Sequence, residues 1–338
     1  MRMTLKKIGE LAGVSSACVS KILNGKTEEF TVETIARVQK VANEYNYRPN
    51  SIAQSMVTKF TMTLGLIIPD ITNPYFPELA KGVENRAFEL GYNIIYLNSD
   101  EDTNKEKKAF RTLEQKMVDG VIFIPSVNSV ENQKIIKDFS VPIVAVDRVF
   151  DVEGIDGLIV ANDYLGSKLA TEYLLGNGHK KILFLSGDRY YGLQSDRAKG
   201  FIDTMKERDI EIPEGYMKIG KYEAEFGYQA VSNFIKEKKP LDAVYACSDM
   251  IAIGALQALK EQGISVPEKV SLVGYDDIYM SQYMSPALTT VCQPKYEMGI
   301  EAVEMLVRLI KEDDNKEYQK IVVDPWMTIR KSVRNMGK

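Results

Sequence analysis

Beyond Met62 the chain repeats one pattern, and that pattern leaves few folds open. Short, solid runs of apolar residues alternate with amphipathic helical segments. Residues 64–68, 93–97, 120–124, 143–146, 181–185, 243–246 and 270–273 read as strands. Residues 76–90, 105–117, 165–175, 226–236, 251–262 and 298–310 carry apolar side chains at helical spacing. Strands that are apolar on both faces and separated by helices belong in parallel sheets covered on both sides. The series is too long for one comfortable unit, and the polar, glycine-containing stretch 151–157 interrupts it. Two doubly wound α/β subdomains are expected, with a cleft at the carboxyl ends of their strands.

The charge is divided as unevenly as the pattern. The 338 residues carry a net −4, but residues 1–59 hold +4 and the remainder −8. A small basic head on a large acidic body points to a polyanion partner for the head alone. No apolar stretch approaches the ~18 residues needed to span a bilayer. Lys6 and Lys7 are not followed by the apolar region of a signal peptide, so no membrane association and a cytoplasmic location are expected. Cys18, Cys247 and Cys292 are far apart and odd in number, which reads as reduced thiols. One histidine, His179, excludes a two-histidine metal site; it lies in a helix-to-strand turn and reads as structural. No metal or cofactor is expected.

The basic head reads as three helices. Thr4 can cap a first helix with Leu5, Ile8, Leu11 and Ala12 on one face. Gly13 permits a sharp turn, Ser15 can cap a second helix burying Val19, Ile22 and Leu23, and Thr31 a third burying Ile35, Val38, Val41 and Ala42. Two short helices about a glycine turn with a third behind them form a helix-turn-helix. Pro49 then pushes Arg48 out of helical geometry, and residues 51–57 form a helix so short that it is marginal alone in water. It makes sense if it orders on binding.

The run from Thr4 to Ser15 (TLKKIGELAGVS), Val19-Ser20, Asn24-Gly25 and Tyr47-Arg48-Pro49-Asn50 with Ala53 closely resembles the head of the lactose/galactose-repressor (LacI/GalR) family. The resemblance continues through Ile68-Pro69-Asp70-Ile71-Thr72-Asn73-Pro74-Tyr75-Phe76, Gly178-His179-Lys180-Lys181-Ile182, Arg197-Ala198-Lys199-Gly200-Phe201, Ser248-Asp249-Met250-Ile251-Ala252, Val273-Gly274-Tyr275-Asp276-Asp277 and Pro286-Ala287-Leu288-Thr289-Thr290. It implies a DNA-binding head at 1–48, a hinge helix and linker at 49–60, and an effector-binding and dimerisation body at 61–338 with the periplasmic-binding-protein-like fold. Within the body it implies an N-subdomain of about 61–160 plus 292–321 and a C-subdomain of about 161–291 plus 322–338. Crossovers are expected near Val160, Val291 and Ile321.

Carried over by position, Ser16, Ala17 and Lys21 correspond to base-reading sites, and Ser15, Ser20, Asn24 and Thr34 to phosphate contacts. Thr4, Asn50, Ala53 and Met56 complete the DNA-facing set. The chemistry suits these roles: Lys21 can donate to guanine O6 and N7, Ala17 offers a methyl contact, and hydroxyls position the head on phosphates. Met56 stands where the family usually has a leucine that wedges into a base step, a departure that bears on the hinge kink.

The resemblance likewise implies an effector site at Asn73, Tyr75, Phe76, Asp147, Arg148, Arg197, Ser248, Asp276 and Gln293, with Tyr222 a further stacking candidate. Bidentate charged partners and flat aromatics are what sugar hydroxyls and C–H faces require. Asp249 reads as a helix cap. Asn162-Asp163 inverts the family's usual Asp-Asn order, which weakens any contact assigned there. No G-x-G-x-x-G follows the first strand, and no P-loop or G-x-S-x-G occurs, so an enzyme is not expected. The expected function is a sequence-specific repressor, a homodimer on a pseudo-palindromic operator in double-stranded DNA, controlled by a sugar or sugar derivative. A purine or nucleoside corepressor, and control by a phosphorylated carrier protein, are the alternatives within the family.

Overall fold

A computed structural model describes residues 3–47, 59–126, 129–148, 153–187, 195–311 and 318–337. The expected hinge helix, with Asn50, Ala53 and Met56, lies outside the described residues. The chain divides into two compact units, Met1–Thr61 and Met62–Lys338.

The first unit contains α1 (Leu5–Ala12), α2 (Ser16–Leu23) and α3 (Val32–Glu44). Each starts at a hydroxyl that accepts a backbone N–H three residues on: Thr4 from Lys7, Ser15 from Cys18 and Thr31 from Thr34. Gly13 ends α1 at φ 69°, a left-handed conformation that a side chain would disfavour. Ile8, Ala12, Val19, Ile22, Val38 and Ala42 form the core, with Leu5, Leu23, Ile35 and Val41 partly buried around them. Leu11 departs from expectation and is 45% exposed. The buried stripe of α1 runs through Ile8, Gly9 and Ala12, and Leu11 falls on its far flank.

Among the described residues, the second unit holds two six-stranded sheets. The first is built from β1 (Thr63–Ile68), β2 (Asn93–Asn98), β3 (Gly120–Phe123), β4 (Ile143–Val146), β5 (Gly157–Ala161) and β11 (Gln319–Val323), in the order β11-β5-β4-β3-β1-β2, all parallel. The second is built from β6 (Ile182–Ser186), β7 (Met217–Ile219), β8 (Ala243–Ala246), β9 (Ser271–Asp276), β10 (Thr289–Cys292) and β12 (Trp326–Thr328), in the order β12-β10-β9-β8-β6-β7. Among the described residues, only the β10–β12 pair at its edge is antiparallel.

Helices cover both faces of each sheet. On the first, Leu64, Leu66 and Ile68 face α4 (Tyr75–Glu89) and α11 (Lys295–Lys311), while Ile67, Val121 and Phe123 face α5 (Thr103–Gln115) and α6 (Gln133–Lys137). On the second, Leu183, Leu185, Val244 and Leu272 face α9 (Ala224–Lys236) and α10 (Asp249–Glu261). Phe184, Tyr245, Val273 and Tyr275 face α7 (Asp163–Gly176) and α8 (Asp196–Glu207). The alternation along each strand follows from its period of two.

The chain passes between the sheets three times: after Ala161, after Cys292 and after Val323. Ile321 is inside β11, paired with Ile159, so the third passage falls at Asp324-Pro325. His179 is fully buried, its Nε2 2.9 Å from the Arg334 carbonyl, as a structural residue would be.

Candidate functional site

In the head, α2 turns Ser16, Ala17 and Lys21 outward while Val19 and Ile22 enter the core. Ser15 Oγ is taken up by the cap of α2, and Thr4 caps α1. Asn24 Nδ2 lies 3.4 Å from Ser20 Oγ at the end of α2, and the Thr34 hydroxyl lies 2.9 Å from that of Thr31. Lys21 is not alone: its Nζ is 2.6 Å from Glu29 Oε2, which holds the Glu29 carboxyl below its ordinary range.

In the second unit, the expected effector residues gather at the carboxyl ends of strands from both sheets. β4 ends at Val146, so Asp147 and Arg148 follow it; β9 ends on Asp276, and Gln293 follows β10. Asp147 and Asp276 occupy matching places and share a constraint: both have positive φ, 74° and 107°. Such backbone is costly for a residue with a Cβ and concentrates at functional sites.

One polar network joins these ends. Arg148 is held bidentately by Glu101, at 2.7 and 3.1 Å, and donates to the Pro125 carbonyl at 2.8 Å; Asp147 is only 4.0 Å from its Nε. The Tyr75 hydroxyl donates to Asp147 Oδ1 at 2.5 Å and lies 3.4 Å from Gln293 Oε1. Gln293 Nε2 donates to Asp276 Oδ1 at 2.7 Å. Arg197 Nη1 lies 3.7 Å from that oxygen and donates to the Cys247 carbonyl at 2.6 Å. Arg197 Nε pairs with Asp163 Oδ2 at 3.1 Å. Its guanidinium carbon sits 3.9 Å from the ring centroid of Tyr275 and 5.8 Å from that of Tyr222, both within cation–π reach.

Burial sets the electrostatics. It pushes the Asp147 carboxyl up against the opposing pull of Arg148. It takes Asp276 to about 8, with Arg197 pulling the other way. Burial also works against charge on Arg197, but Asp163 and the surrounding tyrosines hold it above its ordinary value. The same opposition, with Glu101 dominant on the holding side, raises Arg148.

The remaining expected residues serve the frame. Asn73 Oδ1 accepts the Tyr75 N–H at 3.1 Å and starts α4. Tyr75 is both core and network: its ring lies edge-on to Phe76, and both are buried in the first sheet's cluster. Ser248 Oγ caps α10 by accepting the Ile251 N–H. Asp249 does not make that cap, which corrects the expectation. Instead its buried carboxylate accepts from the Ile278 N–H and the hydroxyls of Ser281 and Thr290.

Sequence reasoning missed Asp163, Tyr275, Glu101 and Lys295. The inverted Asn162-Asp163 order counts against Asp163, yet Asn162 takes the cap of α7 and leaves Asp163 for Arg197 and the Tyr275 hydroxyl. Glu101 and Lys295 carry no local signal, because their partners are distant in the chain. Among the described residues, no cluster could hold a metal ion, and no helix is long and apolar enough to cross a membrane.

Comparison with known proteins matches both units. Residues 4–50 match the family described as bacterial regulatory proteins, lacI family. Residues 61–327 match periplasmic binding proteins and sugar binding domain of the LacI family. The HTH-type transcriptional repressor PurR of Actinobacillus pleuropneumoniae serotype 3 is 33% identical over 336 residues, 99% of each chain. The ribose operon repressor of Haemophilus influenzae is 33% identical over 334 residues, 98% of this chain and 99% of that one. The crystal structure of the Lac repressor dimer bound to operator and the anti-inducer ONPF is similar with a TM-score of 0.84, at 24% identity, over 99% of this chain and 100% of that one.

Proposed function

We propose, for a chain that belongs to the lacI family of bacterial regulatory proteins, that its effector is an uncharged sugar gripped between Asp147 and Asp276. As a member of that family it is a DNA-binding transcriptional repressor with an effector-binding body, acts as a dimer on operator DNA, and is not an enzyme. The finer assignments belong to the same proposal. Ser16, Ala17 and Lys21 read bases, and Ser15, Ser20, Asn24 and Thr34 hold phosphates. The head is 1–48, the hinge 49–60 and the body 61–338, and the protein works in the cytoplasm.

The observation that carries the effector reading is the network from Arg148 through Asp147, Tyr75, Gln293 and Asp276 to Arg197. It offers carboxyl groups from both sheets, a buried guanidinium and aromatic faces, the set that hydroxyl-rich rings need. Its charge also selects. Both arginines are already paired, with Glu101 and Asp163, so an anionic effector finds no uncommitted cation among these groups. An effector touching both sheets favours one relative arrangement of them, and that differential affinity is what changes the head's grip on its operator.

A thermal-shift panel of D-ribose, other pentoses, hexoses, hexuronates and purines tests this. A neutral sugar should raise the melting temperature of the wild type and not of Arg197→Ala; a concentration of one hundred times Kd corresponds to about 2.7 kcal/mol of stabilisation. A shift with a purine and with no sugar overturns the sugar reading, and a preference for hexuronates overturns its uncharged form.

A further inference from the structure

Lys295 is the first residue of α11 and is 1% exposed. Both facts run against ordinary preference. A helix N-terminus carries partial positive charge and disfavours a cation, and a buried ammonium is costly unless its donors are satisfied. The side chain meets both costs by turning back from its helix. Nζ donates to the carbonyl of Asp276 at 2.5 Å, with those of Asp277 and Gln293 at 3.2 and 3.4 Å, and lies 3.4 Å from Glu78 Oε2.

These partners belong to different halves of the body. Asp276 and Asp277 form the corner at the end of β9 in the second sheet, and both have positive φ, 107° and 51°. Carbonyl contacts from one ammonium hold that unfavourable corner in place. Glu78 and Lys295 itself belong to α4 and α11, which pack on the first sheet. Those two helices are locked backbone to backbone. A Cβ on Gly82 would lie 2.1 Å from the Tyr296 carbonyl oxygen, and one on Gly299 would lie 2.3 Å from that of Leu79. The pair therefore moves as one body, and Lys295 straps it to the backbone of Asp276. Gln293 holds the same aspartate by its side chain.

We propose that Lys295 is a positioning residue that transmits effector engagement at Asp276 to the α4–α11 pair. This rests on the effector reading above. An effector that draws on the Asp276 carboxylate shifts the corner at the end of β9. Through the ammonium, that shift reaches helices of the opposite sheet.

Two measurements on the full chain test the proposal, one without any ligand. The groups facing Asp276 are Arg197 from α8, Asp249 from α10, Lys295 from α11, Gln293 and, from α4, Tyr75. Burial raises the Asp276 carboxyl to about 8, so its folded form prefers the proton. The stability that this preference contributes is full below the unfolded carboxylate range and is lost as pH rises through about 8. Asp276→Asn cannot ionise, so its melting temperature relative to wild type should climb across that window. With Lys295→Met in both proteins, the Asp276 carboxyl should rise by about one pH unit and the midpoint of the climb by about half a unit, and Lys295→Arg should restore it. An unmoved midpoint overturns the proposal.

The second measurement is hydrogen exchange with D-ribose as the probe. Ribose should protect amides of residues 271–277 in wild type and Lys295→Met alike, but those of residues 82–89, the part of α4 beyond the effector network, in wild type only. Equal protection of residues 82–89 in both proteins overturns the strap. Should ribose protect neither segment in the wild type, ribose is not the effector, and the pH midpoint alone decides Lys295. If Lys295→Met does not fold, Glu78→Gln takes its place in the exchange experiment and Lys295→Gln in the pH series. Glu78→Gln should weaken the response of α4, and Lys295→Gln should move the midpoint up as Lys295→Met would, an unmoved midpoint again overturning the proposal.

Discussion

Lys21 shows how a single side chain can be legible in type and still unexpected in setting. A lysine on the outward face of α2 is a base-reading candidate, and its ion pair with Glu29 makes that contact conditional, because DNA must displace the carboxylate. Lys21→Ala should relax preference at one base position, at a cost of about 1–3 kcal/mol, when binding is measured across a selected set of randomised duplexes. A uniform loss over all sequences would reassign Lys21 to a phosphate. Glu29→Gln should tighten binding at low salt, with the gain fading as salt rises, since both groups are exposed and screened. The proposed effector residues divide along the same line. Arg197 and Asp276 stand in motifs that the sequence displays, whereas Asp163 and Lys295 matter through partners 34 and 19 residues away. No local pattern encodes such a pairing.

Among the elements, legibility followed burial only in part: the interior strands β5 and β10, opening on Gly157 and on Thr289-Thr290, are buried yet do not read as apolar runs. The central strands β1, β3, β4 and β8 are apolar on both faces and stand out as solid runs. The edges do not. β11 alternates half-buried and exposed residues, while β7 and β12 have three residues each, too few for a period to show. The antiparallel β12 could not have been read as parallel or antiparallel from its own residues. Helix contacts were hidden for a different reason: glycines at Gly82 and Gly299 look like helix weakeners until the facing backbone is known. Gly82→Ala should lower stability by about 1–3 kcal/mol, because the new Cβ meets the Tyr296 carbonyl. Gly176→Ala, in the last turn of α7 with open space around it, should instead be neutral or raise stability by up to about 1 kcal/mol. Denaturant titration of the two variants gives the comparison, and equal effects would mean that α4 and α11 are not held at backbone contact.

For the molecule as a whole, charge and connectivity carry the consequences. The +4 of residues 1–59 and the −8 of the rest confine DNA affinity to the head and set the body against non-specific coating of the duplex. About six phosphate contacts per dimer correspond to a slope of about −5 in a plot of log affinity against log salt. A flat plot would contradict a phosphate-positioned head. Connectivity has an effect of another kind, on synthesis. The first sheet takes β11 as its edge, and its covering helix α11 also comes from the far end of the chain, after the whole of β6 to β10. The second sheet waits for β12 in the same way. On a ribosome, therefore, the head can close once residue 47 has emerged, but neither half of the body can complete its layers until nearly the entire chain is out. Until then the apolar faces that will receive α11 stay open. Nascent chains stalled between residues 161 and 295 should be the ones that chaperones hold.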